Sequence, residues 1–431
     1  TDGSDPRLEG GNANPSAMTY DPTNQVRDPL VLSDSVSIRA RVLSDGNWSP
    51  VHVADFVVPQ EPASASNLRI TEVAYHPMTG GVEFIELQNI TSGAAGVKID
   101  LGSLTLSEGP SAPLVIPVTA TLGPQEHPLL VSDINAFAAT YPDVPAETVL
   151  GEFAGALSNG GERIVLLDAD GNTLIDFNYD DGDPWPRWAD GVGGTLVFSA
   201  PAVTPAAQSD KPYRWRGSAL PGGSPGTSDP PPRGIVINEV LAHTDSPAVD
   251  TIELHNTTTS DIDLGGWFLS DSAGDLLKFM IPDGTMLEAG GYVTFDERDF
   301  NPTPSTPGPK DFALSGSHGD SVWLVIGNES GTSVSEFVDH VDFGATFNGV
   351  SLGRTPSATG RLFPLAAPSL GGPNGGIATS DVVVTEVNYH PRDPTAAALI
   401  DPSMDASDLE FVELHNHRTD SVDLTNWRLR G

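Results

Sequence analysis

The chain contains no cysteine. That removes disulfide frameworks and thiolate metal sites, and with them the small disulfide-rich modules of animal extracellular proteins, while remaining compatible with secretion by a bacterium. Positive charge is also scarce. Lys and Arg number 21 against 58 Asp and Glu, a formal net charge of -37. Such a charge argues against binding nucleic acid, whose phosphates need a cationic surface, and against adhesion to anionic membranes. It favours solubility, cation binding, or a saline setting in which self-repulsion is screened. No apolar run reaches the ~18 residues of a membrane-spanning helix, so no membrane insertion is expected. No signal peptide is visible. The opening Thr1-Asp2-Gly3-Ser4-Asp5-Pro6 reads as the interior of a domain, and the expectation is a fragment of a longer secreted chain.

What the chain has in abundance is turn formers, 45 Gly and 38 Pro, which suit many short connections between strands better than helices. Its 431 residues leave room for two to four domains. One pattern occurs three times: Ile70-Thr71-Glu72-Val73 with Glu83-Phe84-Ile85-Glu86-Leu87-Gln88-Asn89; Ile237-Asn238-Glu239-Val240 with Thr251-Ile252-Glu253-Leu254-His255-Asn256; and Val384-Thr385-Glu386-Val387 with Glu410-Phe411-Val412-Glu413-Leu414-His415-Asn416. Each copy reads as two strands. Alternation sends Val73, Ile85 and Leu87 to one face and Glu72 and Glu86 to the other, which predicts a sheet with one buried and one solvated face. A repeat of this length fixes the architecture before any other feature does. The two glutamates are 14 residues apart in the first two copies and 27 apart in the third, so an insert, Ala396 to Ser407, must loop out there.

Four stretches follow. Residues 1–60 hold an alternating strand from Val36 to Val42, a hairpin turn at Asp45-Gly46-Asn47, and a returning strand through Trp48 and Phe56-Val57-Val58. Pro59 to Ser66 reads as a linker. Residues 67–226 carry the first copy. They include Leu104-Thr105-Leu106-Ser107, a short helix from Ile134 to Tyr141, and a strand from Gly160 to Leu167 turned at Asp170-Gly171-Asn172. After a second linker, Ser228 to Pro232, residues 234–374 repeat that plan. Ile262 to Asp271 matches the Ile99 region, Leu287 to Phe295 the Leu122 region, Gly319 to Val325 the Gly161 strand, and Ser351-Leu352-Gly353-Arg354 matches Thr195-Leu196-Val197-Phe198. Residues 380–431 carry a partial third copy.

The order Thr-Asp-Gly-Ser-Asp-Pro, Val36 to Leu43, then Gly46-Asn47-Trp48-Ser49 resembles the C-terminal half of the Ig-like module of bacterial chitobiases and hexosaminidases. From residue 67 onward, Ile/Val-x-Glu-Val, Phe-Ile/Val-Glu-Leu-x-Asn, Asp-Leu-x-x-Trp-x-Leu, Leu-x-x-Gly-x-Tyr and Gly-Asp-Ser-Val-x-Leu together resemble the lamin tail domain in its bacterial, tandem form. That resemblance implies compact Ig-like β-sandwiches in large secreted or surface proteins. One departure is visible: Gly102-Ser103-Leu104 stands where the second copy has Gly265-Gly266-Trp267, so another side chain must fill the core there.

Paired carboxylates can act as general acid and base or cleave glycosides, but the same pair in three copies reads as architecture, a solvated or ion-paired face. Asp180, Asp181 and Asp183 crowd hard oxygens beside Trp185 and Asp190, and calcium is the cation such a cluster would take. Asp168-Ala169-Asp170-Gly171-Asn172 begins like a calcium loop yet sits where a hairpin needs its turn. His76, His243 and His390 each follow a signature glutamate by four residues. That is about 13 Å along a strand, too far to share one ion, so they read as turn-capping histidines. Trp185, Trp188, Tyr213 and Trp215 offer either a sugar-binding platform or buried packing. No Gly-x-Ser-x-Gly and no phosphate-cradling loop is present.

The fold class expected is all-β, tandem Ig-like β-sandwich domains. The function expected is a non-catalytic structural and interaction segment of a large secreted or cell-surface bacterial protein, set in a filament or surface layer, with partners added through sheet edges, by self-association or by neighbouring modules. The alternatives are an accessory region of a secreted enzyme whose catalytic domain lies outside this chain, and a calcium- or glycan-dependent adhesion module. The third copy cannot bury a core alone, so its apolar face, with Leu414 and Trp427, is expected to be covered.

Overall fold

A computed structural model describes residues 4–17, 36–56, 60–91, 97–392, 405–425, 427 and 429. Nearly all regular structure is β. Ahead of the first copy, β1 (Val36–Ala40) and β4 (His52–Phe56) pair antiparallel; β2 (Leu43–Ser44) and β3 (Asn47–Trp48) form the hairpin between them. Asp45 and Gly46 turn that hairpin at φ 51° and 78°, the geometry Asp-Gly supplies. Val57 and Val58 of the expected returning strand lie outside the described residues. The segment expected to be a linker is partly a strand: β5 (Gln60–Pro62) runs parallel to β8 (Lys98–Asp100) at the edge of a small sheet, where Pro62 has no ladder bond to forfeit.

The first copy continues with β6 (Leu68–Ala74), β7 (Phe84–Asn89), β9 (Thr105–Glu108), β10 (Leu114–Val115), β11 (Thr121–Leu122), β12 (Leu129–Val131), α1 (Ile134–Thr140), β13 (Val149–Glu152), β14 (Glu162–Leu167), β15 (Thr173–Tyr179), β16 (Leu196–Phe198) and β17 (Trp215–Gly217). A six-stranded sheet, β13-β12-β7-β6-β16-β17, faces a four-stranded one, β10-β9-β14-β15. Val73, Ile85 and Leu87 from the first meet Leu106, Ile164, Leu166 and Phe177 from the second in one core, which makes an Ig-like β-sandwich. Leu104 is the side chain that fills the place of the absent Trp, and Ser103 takes the left-handed turn ahead of it, as Gly266 does in the second copy. On its other face the large sheet packs Phe84 and Val131 under Phe137 of α1, a helix capped by Asp133.

The second copy is β18 (Ile235–Leu241), β19 (Thr251–Asn256), β20 (Ile262–Asp263), β21 (Trp267–Ser270), β22 (Phe279–Met280), β23 (Met286–Leu287), β24 (Tyr292–Asp296), α2 (Glu297–Phe300), β25 (Gly319–Gly327), β26 (Val334–Gly344), β27 (Leu352–Thr355) and β28 (Arg361–Pro364). Its sheet orders, β24-β19-β18-β27-β28 and β22-β21-β25-β26, repeat those of the first copy strand for strand, apart from β13. Register repeats as well, with Leu196 opposite Val73 and Leu352 opposite Val240. So does the strand-end staple. Asn89 donates to the carbonyls of Val97 and Leu122 and accepts from Thr91 N–H; Asn256 donates to Ser260 and Leu287 and accepts from Thr258 N–H.

By density of contacts the chain divides into two compact units, residues 1–234 with 264–285 and 323–340, and the remainder. Within the first unit Trp188 stacks on Phe337, centroids 5.7 Å apart at 6°, beside Phe268, Trp323 and Val325. Phe337 N–H donates to Ala219 O, and Arg233 pairs with Glu336 at 2.6 Å. Ser228 to Pro232 is therefore a fastened segment and not a loose linker: Asp229 is buried and accepts from Arg216 at 2.5 Å and from Ala219 N–H.

The third copy supplies β29 (Val382–Asn388) and β30 (Phe411–Asn416). Of its insert, residues 396–404 lie outside the described residues, and a short turn at Ala406–Leu409 is capped by Asp405. The expected cover on its apolar face is not found in the single chain. Val384, Val387, Val412, Leu414 and Trp427 are 37 to 55% exposed, because among the described residues from 380 onward only these two strands are present and nothing lies across them.

Phe337→Ala should remove about 3 kcal/mol of local packing. The expected outcome is faster proteolysis within residues 228–234 at unchanged far-UV circular dichroism.

Candidate carboxylate site

The signature strands carry a β-bulge. Ile70 pairs with Leu87 and Glu72 with Glu86, leaving Thr71 as the extra residue; Asn238 and Thr385 take its place in the other copies. The bulge aims that residue at the second glutamate. Thr71 Oγ1 donates to Glu86 at 2.7 Å, Asn238 Nδ2 to Glu253 at 2.9 Å, and Thr385 Oγ1 to Glu413 at 2.5 Å.

The face bearing the glutamates was expected to be solvated, and in the two complete copies it is not. Glu72, Glu86, Glu239 and Glu253 are 0 to 2% exposed. The reason is a late segment of each copy that folds back over the sheet. In the first, Ser224 donates N–H and Oγ–H to Glu72, Thr195 Oγ1 donates to Glu72, and Gly226 N–H donates to Glu86 at 2.9 Å. In the second, Ser369 donates N–H and Oγ–H to Glu239, and Gly371 N–H donates to Glu253. Gly223 must be glycine, since a Cβ there would lie 2.0 Å from Glu72 Oε1. With these donors every oxygen of both pairs is engaged. Burial, and then the neighbouring Glu86, raise the Glu72 carboxyl above its ordinary value. Burial does the same for Glu253.

The first copy adds a histidine. His127 Nδ1 lies 2.8 Å from Glu86, and its Nε2 lies 3.0 Å from Gln88 Nε2. The amide must donate there, so His127 Nε2 accepts and Nδ1–H donates to Glu86. A cavity of about 410 Å³ opens beside this group.

Residues 228–341 match the family model of the lamin tail domain. The match runs from the segment ahead of β18 into β26. The lamin tail domain is Ig-like, in keeping with the observed strands, and suggests a non-catalytic interaction module. Searches of curated proteins and of solved structures returned no match. Within the matched residues, His243 closes the end of β18. Its Nδ1 donates to Thr346 O, and its own carbonyl accepts from Gly349 N–H. His76 does likewise in the first copy, against Asp190 at 2.6 Å and Gly191 N–H. Both are turn-capping; His390 is exposed.

Asp180, Asp181 and Asp183 are not brought into one ligand set. Asp180 Oδ1 accepts from Gly182 N–H, and among the described residues no group of three or more His, Asp or Glu side chains is placed to hold a metal. Asp168 accepts from the N–H groups of Asp170 and Asn172, closing the hairpin turn. The aromatic platform is absent too. Trp185 and Trp215 are buried in the first core, Trp188 lies on Phe337, and of the four only Tyr213 is exposed.

An acid whose folded-state value is raised favours the fold when protonated. That contribution is complete below its ordinary value of 4.5 and is lost as pH rises toward the folded-state value. Stability should therefore fall with pH above 4.5, and Glu72→Gln should flatten the slope relative to the unsubstituted chain. Urea unfolding from pH 4.5 to 8.5 measures it.

Proposed function

We propose that this chain is a non-catalytic structural and interaction segment of a large secreted or cell-surface protein, with lamin-tail-like modules in tandem at 67–226, 234–374 and 380–431. The observation that carries this reading is the saturation of the carboxylate pairs. A catalytic pair needs an open oxygen facing substrate, whereas both pairs here spend every oxygen on donors of their own copy. Repetition of the same cage in two stretches of one chain fits a building unit. The fastened 228–232 segment and the Trp188–Phe337 stack fit a chain that holds successive modules in place. An extracellular setting is supported by the acidic composition, and the absence of cysteine is compatible with it. Partners then add at the third hairpin, whose apolar face is open.

Sedimentation velocity over a concentration series tests this. The chain should self-associate, and Leu414→Asp, on the open face, should weaken association at least tenfold while leaving thermal unfolding of the rest unchanged. A chain that stays monomeric at every concentration speaks against the interaction role.

A further inference from the structure

The cavity in the first copy has no counterpart in how the second copy is finished. At the positions of Gln88 and His127 the second copy has His255 and Tyr292, whose rings stack 4.1 Å apart and close the space. In the first copy the same place stays open and polar. Glu72, Glu86, Gln88, His127, Arg216 and Asp229 face it, and exposed Ala200, Ser228, Pro231 and Pro232 form its rim. Its volume of about 410 Å³ suits a small ligand or one long side chain.

Gln88 is 4% exposed, and its Oε1 has no partner. The amide orientation is fixed through a chain of bonds. Gln125 Nε2 donates to the carbonyls of Asn89 and Thr91, so Gln125 Oε1 accepts from Gln88 Nε2, which also donates to His127; Gln88 Oε1, on a residue of the cavity wall, is left with nothing to accept from. A buried acceptor without a donor carries an uncompensated desolvation cost. Charge is unbalanced in the same sense. Three carboxyl groups line the space against one guanidinium; Arg216 is already committed to Asp229, and Glu72, whose burial favours its protonated form, leaves Glu86 without a Lys or Arg partner. The donors that satisfy Glu72 and Glu86 are hydroxyls, backbone amides and His127, none of them a Lys or Arg.

We propose that this cavity is a binding site for one primary ammonium group. An ammonium brings several donors and a positive charge: one N–H for Gln88 Oε1 and one for Glu86 Oε2, which accepts from Gly226 N–H and keeps a second lone pair. A neutral alcohol or amide could serve Gln88 but would leave the carboxylates unbalanced. The group can arrive on a free aliphatic diamine or on a lysine side chain. The inference does not rest on the structural role proposed above and stands or falls separately.

Calorimetric titration of the full chain with 1,5-diaminopentane, with the peptide acetyl-Gly-Lys-Gly-amide, and with 1-pentanol tests it. Saturable one-site binding of at least one ammonium probe, with none for the alcohol, is expected. Whichever of the diamine and the peptide binds tighter identifies the source. Gln88→Leu should weaken binding at least tenfold. Pro231→Trp, an exposed rim substitution that removes no side-chain hydrogen bond from the carboxylate cage, should block it. Both keep the net charge of -37, so general attraction of cations survives in them. Binding should release a proton from Glu72 and tighten as pH rises. The other groups facing Glu72 are Glu86, His127, Arg216, Asp229 and Tyr141. Glu72→Gln should abolish proton release. Absence of saturable binding by both ammonium probes, or equal binding by the unsubstituted chain and both folded variants, overturns the proposal.

Discussion

A carboxylate taken out of water has to be met by donors, and two taken out side by side have to be met by several. That requirement governs this chain. Each complete copy places two glutamates directly opposite each other on neighbouring strands and then covers them. The cover comes from far along the sequence: Gly226 reaches Glu86 across 140 residues, and Gly371 reaches Glu253 across 118. Hydrogen bonds to charged groups contribute about 1.5–3 kcal/mol each, and losing one leaves a buried charge exposed to an apolar setting. The sandwich is complete only when its last segment has returned, so the carboxylate pair couples the beginning of each copy to its end.

The bulge comes before the cage in this hierarchy. In the third hairpin the glutamates are exposed and no described segment covers them, yet the register shift between Val384 and Glu386 is the same and Thr385 still reaches Glu413. The local pattern of apolar, polar, glutamate, apolar is sufficient to set it. A bulge puts Ile70 and Val73, three apart, on the same core face and leaves Thr71 free to bond the partner strand. Geometry is thus set by two strands, and the late Ser-x-Gly segment then finds a site already formed.

This hierarchy also explains what the sequence made legible. Apolar alternation identified the signature strands, and matching segments such as Thr195 to Phe198 and Ser351 to Arg354 proved to be the same strand in the same register. The helix at Ile134 and the turn at Asp168 to Asn172 are set by local capping chemistry, and they too were readable. Solvation of the glutamate face was not readable from the strands alone, because alternation assigns residues to faces without saying what covers a face. Two signals bear on it: the consecutive polar residues Thr71-Glu72, which break strict alternation, and the Ser-x-Gly of 224–226 and 369–371, which recurs at the end of each complete copy. The segments taken for linkers misled for a similar reason. Proline and small residues mark a lack of periodicity, yet Gln60–Pro62 can hold an edge and Asp229 can anchor a chain through one ion pair.

The two complete copies share the frame and part company at one place. Strand order, bulge, asparagine staple, histidine cap and carboxylate cage all recur, so each is bound up with making the fold. Gln88 and His127 against His255 and Tyr292 do not recur, although they occupy the same register positions beside the same carboxylate. The stacked His255–Tyr292 pair shows that the position can be closed with ring packing and no unmet acceptor. Keeping it open in the first copy leaves Gln88 Oε1 unsatisfied next to a like-charged pair, a cost the frame does not require. Where an optional cost sits in the wall of a cavity, its natural counterpart is a molecule that removes it on binding.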